Sequence, residues 1–174
     1  MQTNNSGKPI FLIGFMGSGK TTIGRALAKQ LAWKFIDLDQ EIERIYQLPV
    51  PEIFRRHGEA YFRAVETETL QHMQEKREHI IATGGGTPCQ GNNMAWIKEH
   101  GISIYLKMSV KALLSRLTQK EQTTRPLLQQ ETPATVEEFI TQKLEERAPY
   151  YAQADYTVNG LEVTPDALIK LLGW

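Results

Sequence analysis

A chain of 174 residues, 41% of them hydrophobic, is long enough to bury one core and too short for two comfortable domains. Twenty Lys and Arg balance twenty Asp and Glu, so no net field draws the protein to nucleic acid or to an anionic membrane, and any basic chemistry must be local. One cysteine, Cys89, excludes an internal disulfide and a cysteine-built metal site, and a reducing, cytoplasmic setting is expected.

Residues 1–8 are polar and expected to be disordered, and the apolar run at 10–16 is too short for a signal-peptide core or a membrane span. Ile10 to Gly14 reads as a fully buried strand, because its apolar residues run on without alternating. From about Gly19 to Ala32 the pattern turns helical, with Ile23, Leu27 and Leu31 four apart. A second strand is expected at Phe35–Asp37, then helical stretches around 39–46 and 59–77. Further strands are expected at Ile80–Thr83, Ile102–Leu106 and Tyr156–Val158. Ser109 suits the N-cap of a helix through Leu117, and Thr164, Pro165 and Asp166 form a cap, a helix-first proline and an early acid. Strands alternating with helices predict a parallel sheet with helices on both faces, whose ligands bind at the carboxyl ends of the strands. The polar stretch 119–134, with Arg125-Pro126-Leu127-Leu128, interrupts that alternation; it reads as a solvated loop or as an active-site lid.

Gly14-Phe15-Met16-Gly17-Ser18-Gly19-Lys20-Thr21 matches the phosphate-binding pattern G-x-x-x-x-G-K-[ST] in full, after a buried strand and at the start of a helix. Glycines let successive backbone N–H groups curl toward phosphate oxygens, and the helix offers its positive end to the same anion. Gly17, Ser18, Gly19, Lys20, Thr21 and Thr22 are therefore the candidate nucleotide ligands. Lys20 would bridge the β- and γ-phosphates, and the Thr21 hydroxyl would ligate Mg²⁺. A GTPase would add a guanine-reading N-K-x-D segment, which the sequence lacks. A motor ATPase would end an apolar strand in an acid, whereas the third strand runs into Thr83-Gly84-Gly85-Gly86.

The acids follow the second strand instead, as Asp37-Leu38-Asp39. On an extended segment both carboxylates fall on one side. One could hold Mg²⁺ or assist deprotonation of an acceptor hydroxyl, and the other could accept from substrate hydroxyls; a plain N-cap at Asp39 is the other reading. Gly84, Gly85 and Gly86 at a strand end permit close approach of a ligand, or simply a flexible turn. Arg63, near a helix start, and Arg147, after a long helical stretch, each read alone as surface residues. Together they could clamp a carboxylate in the bidentate manner that lysine performs poorly.

In this order the residues resemble the shikimate kinase family, from about Ile10 to Arg147. The chain supplies GFMGSGKT, DLD, GEAYFR, GGG, RPLL and RAPYY in the family's sequence. The resemblance implies a three-layer α/β P-loop fold of the nucleoside-monophosphate-kinase type, one domain with five parallel strands and a mobile lid. It also implies ATP and Mg²⁺, and phosphoryl transfer to the 3-hydroxyl of shikimate on the route to chorismate and the aromatic amino acids. Asp39, Arg63, the glycines around Gly85, and Arg147 would bind shikimate from a segment at about 37–63 and beyond, with Phe54 and Phe62 beside its ring. Lys20 and Arg125 would neutralise the migrating phosphoryl group, Asp37 would be catalytic or hold the metal with Thr21, and Arg116 would lie against adenine. The family leans toward monomers. Two features depart from it: Tyr46-Gln47, with Pro49 and Pro51 close behind, stand where a Thr-Gly pair is common, and the lid carries extra polar residues before Arg125. No polar adenine contact is assigned near Leu161 to Val163. The rival readings are a gluconate- or nucleotide-type kinase, which has no need of the arginine clamp, and a non-catalytic nucleotide sensor, which has no need of an acceptor site.

Overall fold

The computed structural model describes residues 7–120 and 133–174. Five strands form one parallel sheet: β1 (Ile10–Ile13), β2 (Lys34–Asp37), β3 (His79–Ala82), β4 (Ile102–Lys107) and β5 (Tyr156–Asn159), in the order β2-β3-β1-β4-β5. Parallel neighbours need long crossovers, and helices supply them. Those described are α1 (Lys20–Leu31), α2 (Leu38–Tyr46), α3 (Val50–Gln71), α4 (Asn93–His100), α5 (Val110–Lys120), α6 (Pro133–Tyr151) and α7 (Pro165–Leu172).

Successive β1 residues point to opposite faces and define the two cores. Ile10 and Leu12 pack with Ile80, Ile104 and the α1 residues Ile23 and Leu27 on the face that α7 closes with Leu168. Phe11 and Ile13 pack with Ile81 and Tyr105 against Leu70 of α3, Met94 and Ile97 of α4, and Tyr151 of α6. A satellite cluster of Ile42, Ile53, Phe62 and Val65 joins α2 to α3. The three-layer α/β fold expected from the alternation is therefore present.

Several local expectations change. The helix expected at 59–77 is α3, which starts at Val50; Pro49 is its N-cap and Pro51 falls in its first turn, where proline's missing N–H has no intrahelical partner to lose. Gly58, with φ 82 and ψ 172, breaks the helix inside that span, so Arg63 stands near the start of its second half. Asp37 and Asp39 do not share an extended segment. Asp37 is the N-cap of α2, its carboxylate accepting from the Asp39 and Gln40 amides, and Asp39 lies in the first turn. The cap that the alternative reading put at Asp39 is thus two residues earlier. Arg147 sits within α6, which continues past Pro149 to Tyr151. Helix α4 was not anticipated. Residues 119–120 and 133–134 of the expected lid are helical, while 121–132, with Arg125, fall outside the described residues, as do residues 1–6. Gly7 already accepts a hydrogen bond from the Glu78 amide at 3.0 Å.

Candidate active site

The phosphate loop leaves β1 and enters α1 through Gly19, whose φ of 94 is left-handed and disfavours any side chain there. Lys20 is folded back into the loop, its Nζ donating to the Gly14 carbonyl at 2.7 Å and the Phe15 carbonyl at 2.9 Å. The Thr21 hydroxyl donates to Asp37 Oδ2 at 2.8 Å, so the ends of β1 and β2 bring one hydroxyl and one carboxylate together. Those are the hard oxygen donors that Mg²⁺ takes beside phosphates and water. Beyond the loop a cleft of about 500 Å³ runs past Thr22 and Arg116 to Leu161 and Val163. Arg116 Nη1 donates to the Gly17 carbonyl at 3.2 Å.

The predicted acceptor residues gather on the turn after β3, and its glycines are small because the space is taken. A Cβ on Gly84 would lie 2.6 Å from Glu66 Oε1 and 3.1 Å from Asp39 Oδ1. One on Gly85 would lie 3.0 Å from Arg147 Nη1 and 3.4 Å from the Met16 amide of the phosphate loop, and one on Gly86 would lie 2.8 Å from Arg63 Nη1. Each glycine therefore makes room for a different predicted acceptor residue, and the middle one abuts the phosphate loop. The arginines are held by their surroundings. Arg63 Nη1 donates to Glu66 Oε2 at 2.6 Å and its Nη2 to Glu59 Oε1 at 3.2 Å, while its guanidinium lies 5.8 and 5.7 Å from the ring centres of Phe54 and Phe62. Arg147 lies 5.3 Å from the centre of the Phe15 ring, joining α6 to the phosphate loop.

Burial, reinforced by the charges of Glu66 and Asp37 and opposed by Lys20, pushes the Asp39 carboxyl up to about 6. Among the described residues, the buried side-chain polar atoms without a hydrogen-bond partner are Ser18 Oγ and Arg63 Nε. One lies in the phosphate loop and the other beside the three-glycine turn. A buried donor left unmet is disfavoured by about 1–3 kcal/mol, and such atoms concentrate where a ligand completes the set.

A family model described as shikimate kinase matches residues 16–171. The chain is 45% identical over 147 residues to the shikimate kinase of Bacteroides fragilis, covering 84% of this chain and 82% of that one. The chain belongs to the shikimate kinase family. The crystal structure of shikimate kinase from Bacteroides thetaiotaomicron superposes with a TM-score of 0.91 at 39% identity, covering 96% of this chain and 99% of that one. Shikimate kinase from Acinetobacter baumannii, solved in complex with shikimate, follows at 0.83 and 37%, with 97% and 92% covered.

Within this shikimate kinase scaffold, three residues that sequence reasoning missed support the predicted ones. Glu66 grips Arg63 with one oxygen and accepts from the Thr87 hydroxyl at 2.8 Å with the other. Its signal was legible, an acid three positions after an arginine on a helix. Tyr151 donates its hydroxyl to the Gly85 carbonyl at 2.6 Å and lies one turn beyond Arg147 on α6. Asn93 donates to the Thr87 carbonyl at 2.8 Å from the first residue of α4, a link that no local pattern carries.

Proposed function

We propose that this enzyme transfers the γ-phosphoryl group of Mg-ATP to the 3-hydroxyl of shikimate, giving ADP and shikimate 3-phosphate, a step toward chorismate. The convergence of Asp39, Arg63 and Arg147 on the three-glycine turn, directly beside the phosphate loop, carries this reading. A compact ring acid with neighbouring hydroxyls matches that pocket. Arg63 and Arg147 take the carboxylate, Arg63 Nε gaining the partner it lacks, and Asp39 accepts from the ring hydroxyls. Phe54 and Phe62, with ring centres 4.5 Å apart, form the apolar wall.

On the donor side the loop from Gly17 to Thr22 holds the phosphates, and Lys20 exchanges its loop carbonyls for phosphate oxygens. Thr21 and Asp37 would hold Mg²⁺, which would offset the charge on the phosphates when bound. The acceptor oxygen forms the new bond to phosphorus, the bond from phosphorus to the bridging oxygen breaks, and ADP leaves. A loose transition state asks little of a base, so Asp37 is assigned to order the metal and its waters, and the hydroxyl proton passes to solvent. Arg125, which falls outside the described residues, supplies a second positive charge to the migrating group. Arg116 lies against the base. A cytoplasmic enzyme accompanies this reading, supported by the single cysteine, and a monomer follows from the family resemblance; no described helix is long and apolar enough to cross a membrane.

The test is ADP release with Mg-ATP and either shikimate, gluconate or a nucleoside monophosphate. Release that depends on shikimate, with a phosphorylated product by mass, is expected. ATP binding without shikimate turnover would remove the acceptor assignment.

A further inference from the structure

The base end of the nucleotide cleft is built unlike its phosphate end. Arg116 shares the lining of the cleft with Gly160, Leu161, Val163 and Pro165, from the loop that follows the edge strand β5. Every backbone amide at 160–163 is engaged within the fold. Gly160 donates to the Lys107 carbonyl at 2.8 Å and Leu161 to Asn159 Oδ1 at 3.0 Å. Glu162 and Val163 both donate to the Asn159 carbonyl, at 3.2 and 3.0 Å. Pro165 has no amide proton to offer. What these four lining residues leave is carbonyl oxygen and aliphatic surface, with Leu161 57% exposed.

Arg116 is held by its bond to the Gly17 carbonyl and presents a flat cation suited to stacking on any base. The other polar side chains lining the cleft among the described residues are Ser18, which belongs to the phosphate loop, and Thr22 and Gln119, both exposed. Reading adenine against guanine requires a donor for N1 beside an acceptor for the 6-amino group, and guanine requires the reverse. An amide donor at 160–163 would have completed the adenine pair, and all four are committed elsewhere.

We propose that this enzyme selects its phosphoryl donor by the triphosphate and reads the base only weakly, so that GTP, CTP and UTP serve beside ATP. The inference rests on the phosphate loop being the donor site of the proposed reaction. Its magnitude follows from the kind of contact left. A site that hydrogen-bonds a specific edge rejects the wrong partner by about 10⁴–10⁵-fold, whereas shape and apolar contact discriminate by about 10–200-fold. A loop carbonyl accepting from an amino group on adenine or cytosine adds roughly a factor of ten, and it favours two of the four bases alike.

The experiment uses the full chain with Mg²⁺, saturating shikimate and each nucleoside triphosphate in turn, quantifying shikimate 3-phosphate by mass so that no coupling enzyme imposes its own base preference. We expect kcat/KM for GTP, CTP and UTP to fall within about 10³-fold of ATP, with most of the difference in the nucleotide KM. A larger loss for any of the three overturns the inference. Absence of product with ATP itself would instead sink the proposed reaction, so the two failures are distinguishable.

Discussion

The phosphate half of the site comes from one stretch of chain, Gly14 to Thr22, whereas the acceptor half is gathered from α2, α3, the turn after β3, and α6. In the first half the backbone conformation makes the site, as the left-handed Gly19 at the mouth of α1 illustrates. In the second, side chains from distant segments make it, and the backbone contributes chiefly by staying small at Gly84, Gly85 and Gly86. Damage to the two halves should therefore separate kinetically, one changing the nucleotide KM and the other the shikimate KM.

The severest break in that comparison is a residue belonging to neither half. If Arg125 acts on the migrating phosphoryl group, Arg125→Ala lowers kcat by about 10³-fold or more while both KM values and the thermal midpoint stay near those of the parent. Near-normal turnover would remove Arg125 from the mechanism and leave Lys20 as the sole assigned cation on that group.

Next comes the crowded turn. Gly86→Ala places a methyl 2.8 Å from Arg63 Nη1 and 3.2 Å from its Cζ, so the guanidinium must leave the position that Glu66 fixes. Losing a charge-assisted hydrogen bond to substrate corresponds to about 1.5–3 kcal/mol, so the shikimate KM should rise about 10–100-fold. The ATP KM should be unchanged. A rise in the ATP KM of similar size would mean that the halves are mechanically one unit, joined where Gly85 meets the Met16 amide.

How far each half was legible follows from the same contrast. The phosphate loop is contiguous, so its spacing, between a buried strand and a helix, announced it. The strand alternation announced the sheet, because β1 is buried on both faces and must read as an unbroken apolar run. The acceptor half was legible only as a series of motifs matched to a family, since no local rule brings Arg63 and Arg147 to one turn. Where local rules were applied there, they misfired at particular residues. Asp37 and Asp39 were read with the strand's period of two, but the strand ends at Asp37, whose carboxylate caps α2. Pro49 and Pro51 stood out only beside a departure from the family's pattern, and they open a helix. Helix α4 was missed because Gly91-Asn92-Asn93 looks like a loop and only Met94 and Ile97 of its apolar residues are deeply buried.

Asp39 gives a smaller and two-signed effect. Burial beside Glu66 and Asp37 raises its carboxyl from 3.8 to about 6. The folded protein therefore holds that proton through a window, about pH 4 to 6, in which the unfolded chain has released it, and this group's contribution to stability falls as pH rises through the window. Substrate hydroxyls need the ionised form, so kcat/KM for shikimate should fall as pH drops below about 6. Asp39→Asn should then melt higher than the parent at pH 7.5 and turn over shikimate poorly at every pH. Lower stability in that variant would show that the carboxylate is better solvated than its burial implies.

The smallest expected effect tests whether the acceptor half depends on residues that never touch substrate. Thr87 is fully buried; its hydroxyl donates to Glu66 Oε1 at 2.8 Å, leaving Oε2 for Arg63 at 2.6 Å. Asn93 holds the Thr87 carbonyl from α4 at 2.8 Å, which fixes where that hydroxyl points. Thr87→Val keeps the shape and removes the donor, so one buried oxygen of Glu66 loses its partner and the carboxylate is free to rotate away from Arg63. A neutral-to-charged hydrogen bond of this kind is worth about 1.5–3 kcal/mol in place, but only part of it is transmitted through Arg63, so a rise of about three- to tenfold in the shikimate KM is expected. Loss of stability alone would not distinguish positioning from packing. The split does: the shikimate KM should rise while the ATP KM holds, and Thr87→Ser, which restores the hydroxyl without the methyl, should bring the KM back although it leaves a small cavity. If Thr87→Ser proves as impaired as Thr87→Val, the methyl and not the hydroxyl is what the site requires, and the acceptor half would be held by packing against the β3 turn instead of by the chain of hydrogen bonds from α4.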